Sequence, residues 1–373
     1  MRSSAKNLPF YKRFAYILFI ITALITLCYL GQGILSPLLL ALLFAIMMRP
    51  VAAFLQKRLK MPNLAASLIA VLLFVIFFAI LFTFITYQIA GMAEDWDKIQ
   101  TNLLSHWHSF QGYVQDTFQL SKREQEQMVS KATSGSADTG KSIMGSTLLS
   151  LTDSLMNLVL IPIYMFLILL YRTHFLKFLC RLFAVHHHPK LEDILKTIKT
   201  SVQSYILGLL FEFIIVSLLT TFGLMLIGVK YAVLLGVITG LLNLIPYIGI
   251  LIAGVLTIIA SLSGTSDLTV ILGILVVNIV VQFIDNNILV PIVVSSKVEI
   301  NSIASIAGII ICGAIAGISG MFLAIPVMAI LKVIFDRVQS LEPWGYLLGD
   351  DIPKAFDWKH LDSSKEKNDT DEY

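Results

Sequence analysis

Leu64 to Ala90 reads LAASLIAVLLFVIFFAILFTFITYQIA, without one charged residue. A helix needs about 20 apolar residues to cross the hydrocarbon core of a bilayer. This run exceeds that length and has no polar face, so it must lie against lipid or other helices on every side. The rest of the chain repeats the pattern. Hydrophobic residues make up 57% of the sequence and charged residues 14%, with a mean hydropathy of +0.83. A soluble domain carries roughly a quarter charged residues. The predicted fold class is therefore all-α, a polytopic transmembrane helix bundle of about eight spans. They fall near 14–31, 33–48, 64–90, 148–171, 203–227, 231–261, 268–291 and 301–334. Several of the later spans are long enough to be tilted, broken or re-entrant, which places the irregular helices in the C-terminal half.

The charges orient these spans. Lys and Arg gather on the cytoplasmic side of membrane proteins. With Arg2, Lys6, Lys12 and Arg13 inside, eight spans also put Arg49, Lys57, Arg58, Lys60, Arg172, Lys177, Arg181 and the basic tail inside. Both termini are then cytoplasmic. The first apolar run follows Lys12 and Arg13 as in a signal peptide, but no small-residue cleavage site follows it, so it reads as a retained span. The chain divides into spans one to three (1–92), an extracytoplasmic helical segment (93–147), span four with a cytoplasmic interfacial helix (148–202), a transport core of spans five to eight (203–340) and a polar tail (341–373). In the outer segment, Trp96, Ile99, Leu103, Trp107, Phe110 and Val114 recur at helical spacing. At 186–206, Leu191, Ile194, Leu195, Ile198, Val202 and Tyr205 share one face, as in a helix lying in the inner interface before the next span.

Familiar catalytic patterns do not hold up. Gly135, Gly140, Lys141 and Ser142 fit the phosphate-loop spacing, but no strand precedes them and the topology puts them outside. His186, His187 and His188 precede Pro189 with no second ligand cluster. Cys28, Cys180 and Cys312 form no paired motif. No enzyme, cofactor or metal site is expected. The net charge of +3, spread over several loops, excludes nucleic acid as the main partner.

The informative residues are the polar ones inside the spans, where carboxylates are costly and face a cavity or a partner. Glu212 lies in the fifth predicted span and Asp285 in the seventh. Asn278, Gln282 and Asp285 fall at i, i+4 and i+7, so they form one stripe that must face protein or water. That stripe is either a substrate or cation path or an interhelical hydrogen-bond cluster. Glu212 either shares that role or pairs with a lysine. In the sixth span, Pro246 removes a backbone donor, Gly249 tolerates a bend, and Asn243 can satisfy the loosened groups. Such breaks expose backbone dipoles to solutes near the midplane. Gly320 to Pro326 repeats the spacing of Gly240 to Pro246, which hints at a duplicated pair, spans five–six and seven–eight.

These stretches resemble the autoinducer-2 exporter (AI-2E) family of bacterial permeases. The resemblance rests on Asn243-Leu-Ile-Pro-Tyr-Ile-Gly249, on Asp285-Asn-Asn-Ile-Leu-Val-Pro291, on the Gly-rich last span ending in Ala324-Ile-Pro326, and on Pro162, Phe166, Tyr171 and Arg172 in span four. It implies a multi-pass transporter of the bacterial inner membrane, homo-oligomeric. It draws attention to Asn243, Pro246, Gly249, Asp285, Asn286, Asn287 and Pro291, with Pro326 as a further helix break. The function expected is a secondary transporter or permease for a small polar solute, an autoinducer-2-like signalling molecule by resemblance. The alternatives are sodium or lithium/proton antiport through the same residues, and a membrane interaction or scaffold protein acting through 93–147.

Overall fold

A computed structural model describes residues 9–95, 98, 101–102, 105, 139–245, 248–261, 268–293 and 300–350. Most of the 93–147 segment, Pro246 and the tail beyond residue 350 lie outside the described residues. Every regular element within them is helical. They are α1 (Phe10–Leu30), α2 (Gln32–Arg58), α3 (Asn63–Glu94), α4 (Thr139–Leu182), α5 (His188–Ile227), α6 (Ala232–Asn243), α7 (Ile248–Ser261), α8 (Leu268–Ile284), α9 (Ser302–Arg337) and α10 (Glu342–Leu348). α8 runs on through a π-helical turn, Asp285–Leu289, into a last α turn, Val290–Val293.

Helices α2 and α3 form an antiparallel pair. Gln56 donates to Asn63 across their connection at 2.8 Å, and Phe44 stacks on Phe74 and Phe78 further in. Asn63 also donates to the Leu170 carbonyl, which fixes the end of the apolar part of α4 beside the start of α3. Small residues on α2, Ala41, Ala45 and Ala52, are fully buried and share the main core with Met165 and Leu169 of α4. Close approach of this kind gains packing where the hydrophobic effect is weak. α1 is joined to α2 by the single residue Gly31, and most of its described side chains are exposed.

α5 is one continuous helix of 40 residues. The expected interfacial helix at 186–206 is its first half, with no turn before the span. Its buried residues, among them Ser201, Tyr205, Glu212, Val216, Thr220 and Leu224, keep helical spacing along its length, so nothing in the sequence breaks it.

Within the sixth and eighth predicted spans the chain folds back on itself. Each is a re-entrant hairpin, which locates the irregularity expected of the C-terminal half. In the first hairpin, Ala232 and Leu235 at the start of α6 pack in one cluster with Ala260 at the end of α7, beside Leu224, Val229 and Ile274. Both ends of the hairpin therefore lie at the same face, where α5 ends and α8 begins. α6 packs directly on the α5 backbone: a Cβ on Gly240 would come 2.7 Å from the Phe213 carbonyl oxygen. The second hairpin is α9 folded on itself. Gly308 faces Met328, Gly313 faces Met321, and Gly320 packs on the Cys312 carbonyl. The fold-back comes at Ala316–Gly317, where Gly317 has φ 59° and ψ −142°. L-residues avoid that region, and glycine alone adopts it at little cost. Asn301, before the first arm, bonds to Leu347, Leu348 and Gly349, beyond the second. This hairpin thus opens at the opposite face from the first.

The core is therefore an inverted repeat. α5 leads into a hairpin dipping from one face, and α8, antiparallel to α5, leads into a hairpin dipping from the other. Gly223 against Val277 and Gly273 against Ile227 set the register between α5 and α8. Eight full crossings would run spans six and eight in the same direction, whereas the two hairpins open at opposite faces. The shared Gly-to-Pro spacing also begins at unequal places: Gly240 lies in the first arm of the first hairpin, whereas Gly320–Pro326 lies in the second arm of the other.

Candidate functional site

Three helices bring three polar side chains together. Glu212 of α5, Asn243 at the end of α6 and Asp285 at the start of the π turn are 5%, 7% and 3% exposed. The Asn243 amide Nδ2 donates to Glu212 Oε1 at 2.8 Å and to Asp285 Oδ2 at 3.0 Å. Each partner is placed by a local cause. Asn243 sits where α6 ends in the hairpin turn. Gly249, opening α7, is backed so closely on Leu242 that a Cβ would lie 1.7 Å from that carbonyl oxygen. Asp285 sits where the backbone widens to a π turn, a distortion often found at functional sites, and its own carbonyl accepts from the Val290 N–H.

Neither carboxylate is in an ion pair with a Lys or Arg among the described residues. The lysine partner considered for Glu212 is replaced by the Asn243 amide. Glu212 Oε2 and Asp285 Oδ1 are buried and accept no hydrogen bond from the described residues. Beside Asp285 is a polar cavity of about 20 Å³, lined by Thr239, Asn243, Asn278, Gln282 and Asp285 with Val216 and Val281. That is room for one water or one small ion. The buried cluster of Leu224, Ala232, Leu235, Ala260 and Ile274 closes the region toward the face where the first hairpin opens.

Asn278, Gln282 and Asp285 share this cavity, so the stripe at i, i+4 and i+7 is a true face. Asn286 and Asn287 do not join it. Both are exposed, and Asn287 donates to the Phe283 carbonyl of its own helix at 2.8 Å. Pro291 is exposed in the last turn of the α8 extension, and Pro326 is buried in the second arm of α9. Thr239 was not singled out. It stands four residues before Asn243, and helical spacing from that asparagine would have found it.

Outside the spans, two clusters tie the hairpins down. Asp95, after α3, is bonded by the ammonium of Lys230, by Lys98 at 3.1 Å and by the Tyr231 hydroxyl at 2.7 Å. The Lys230 ammonium above all, with the Tyr231 hydroxyl and Lys98, holds its carboxyl well below the usual carboxylate range. At the other face, Arg337 at the end of α9 donates to Asp193 at 2.6 Å and Thr197 at 2.9 Å on α5. The histidine tract has a local structural role: His188 Nε2 lies 2.8 Å from the Cys180 carbonyl and 3.1 Å from that of Phe183.

Residues 16–340 match the family described as AI-2E family transporter. Among relatives, the chain is 26% identical to "Putative transport protein YueF" of Bacillus subtilis over 82% of this chain and 84% of that protein. It is 30% identical to "Putative transport protein YrrI" of the same organism over 37% of this chain and 39% of that one. To "Putative permease PerM" of Escherichia coli K12 it is 26% identical over 52% and 56%. With its long apolar helices and re-entrant hairpins, the chain is a multi-pass membrane transport protein and belongs to the AI-2E transporter family.

Proposed function

We propose that this protein is a secondary transporter for a small polar solute, coupled to a proton or a monovalent cation at Glu212, Asn243 and Asp285. The observation that carries this reading is the sharing of one neutral amide donor by two buried carboxylates. With both ionised, the site would hold two negative charges and no positive partner among the described residues, which a low-dielectric interior resists. A proton or a bound cation would offset this, so occupancy of the site and its charge state are linked. The inverted repeat, with broken helices meeting near the midplane, is the arrangement in which secondary transporters bind solute and coupling ion. By family resemblance, the solute is of the autoinducer-2 kind. The face carrying Lys57, Arg58, Lys177, Arg181 and Arg337 is the cytoplasmic one by charge. With α1 as a further crossing, both termini lie there, in the inner membrane of a bacterium.

A second reading, sodium or lithium/proton antiport, draws on the 20 Å³ polar cavity beside Asp285, whose oxygens suit a small dehydrated cation. One experiment separates the two. Proteoliposomes holding a pH-sensitive dye are given a sodium gradient, then a gradient of autoinducer-2. Proton movement driven by the solute and lost in Asp285→Asn supports the first reading. Movement driven by sodium alone supports the second. Unchanged fluxes in both Asp285→Asn and Glu212→Gln would remove the site from the mechanism.

A further inference from the structure

The turn of the first hairpin has a second side. Away from the carboxylates, Leu244 and Ile245 face a cavity of about 510 Å³ that also meets α2, α3, α5 and the turn of the second hairpin at Ile318 and Ser319. Among the described residues its wall is aliphatic and aromatic, with the Ser319 hydroxyl as the one polar side chain. The volume lies within the usual range of ligand pockets, but such pockets carry several convergent polar groups. A polar solute would find almost nothing here to replace its hydration. Water is equally unsuited, because apolar cavities stay dry and take apolar guests.

The position of the mouth identifies the guest. Leu73 and Phe77 line the cavity and are 50% and 43% exposed, and Ile318 is 74% exposed. Leu73 and Phe77 stand near the middle of the apolar stretch Asn63–Met92, so the opening faces the hydrocarbon interior of the bilayer and not either aqueous face. We propose that this cavity binds one acyl chain of a membrane phospholipid, which enters sideways between α3 and the turn of the second hairpin. The chain fills the space between the two hairpin turns and the α2–α3 pair. It thereby seals the carboxylate site from the membrane on that side. The proposal is independent of which solute is transported.

Fluorescence quenching tests it, in vesicles of phosphatidylcholine brominated along its acyl chains. In a background with the four native tryptophans replaced by phenylalanine, Phe74→Trp puts an indole in the cavity wall. Leu43→Trp, as deeply buried but away from the cavity, serves as control. The expected result is quenching of Phe74→Trp several-fold stronger than of the control, with the excess removed by Leu209→Phe, which narrows the cavity. Equal quenching at the two positions overturns the proposal. So does an excess relieved by saturating autoinducer-2, which would make the cavity a solute site, or by protein dilution, which would make it a contact with a second copy. Wild-type protein provides a second measurement free of folding defects. After extensive detergent washing, native mass spectrometry should find one phospholipid retained per chain, and complete loss of phospholipid counts against the site.

Discussion

The two hairpins are built on one plan and finished differently. Each follows a long helix, α5 or α8, and each is fastened outside the spans by one polar cluster: Asp95 with Lys230 and Tyr231 for the first, Arg337 with Asp193 for the second. Their turns share no chemistry. The first places Asn243 between two buried carboxylates. The second places Ile318 and Ser319 at an apolar cavity, and depends on the conformation of Gly317. Repetition supplied the scaffold. The chemistry came from a single side chain where the first hairpin turns, and from what the antiparallel pair α5 and α8 sets opposite it.

The largest effect should come from erasing that difference. Asn243→Leu leaves both carboxylates buried without their shared donor. Loss of a hydrogen bond to a charged group costs about 1.5–3 kcal/mol, so solute-driven flux should fall roughly ten- to hundredfold, with a lower unfolding temperature in detergent. Flux within a factor of two of wild type would show that the amide bridge is incidental. Next comes Gly317→Ala, which forces an L-residue into a region that costs of order 1–3 kcal/mol. It should lower the unfolding temperature while leaving proton binding at the first hairpin intact.

The fastenings offer a finer comparison, through pH. The folded Asp95 carboxyl titrates below its unfolded value. The stabilisation from its ties is therefore fully present above the unfolded value of about 3.9 and lost only as pH falls through the depressed folded one. Asp95→Asn should thus lower the unfolding temperature at neutral pH, and the gap from wild type should close only in strong acid. A gap that already vanished at pH 5 would contradict the assignment. The smallest effect is expected from Ser319→Ala. Removing this hydroxyl from the apolar wall should change stability by no more than about 0.5 kcal/mol, and flux hardly at all.

Much of this was legible in the residues. Long uncharged runs mark the helices because backbone polar groups in lipid must be satisfied within the segment. Asn278, Gln282 and Asp285 could be placed on one face because helical periodicity is local. Asn286 and Asn287 could not be sorted from Asp285, since their direction depends on a π turn that the local pattern does not announce. Likewise, Ala232–Ser261 and Ser302–Arg337 have the length and hydrophobicity of spans. A re-entrant arm and a crossing helix bury the same kind of side chain, so composition does not distinguish them.

By itself, then, the sequence determined that this is a helical membrane protein, that its basic residues favour one face, and that Glu212, Asn243 and Asp285 sit at membrane depth. Only the tertiary structure decided that two apparent spans turn back, that they do so from opposite faces, and that one asparagine joins the two carboxylates. The reason is one of range. Hydrophobicity and helical period act over a few turns of one chain segment. The pairing of Glu212 with Asp285, 73 positions apart, depends on how α5, α6 and α8 pack, and on glycines that let their backbones touch.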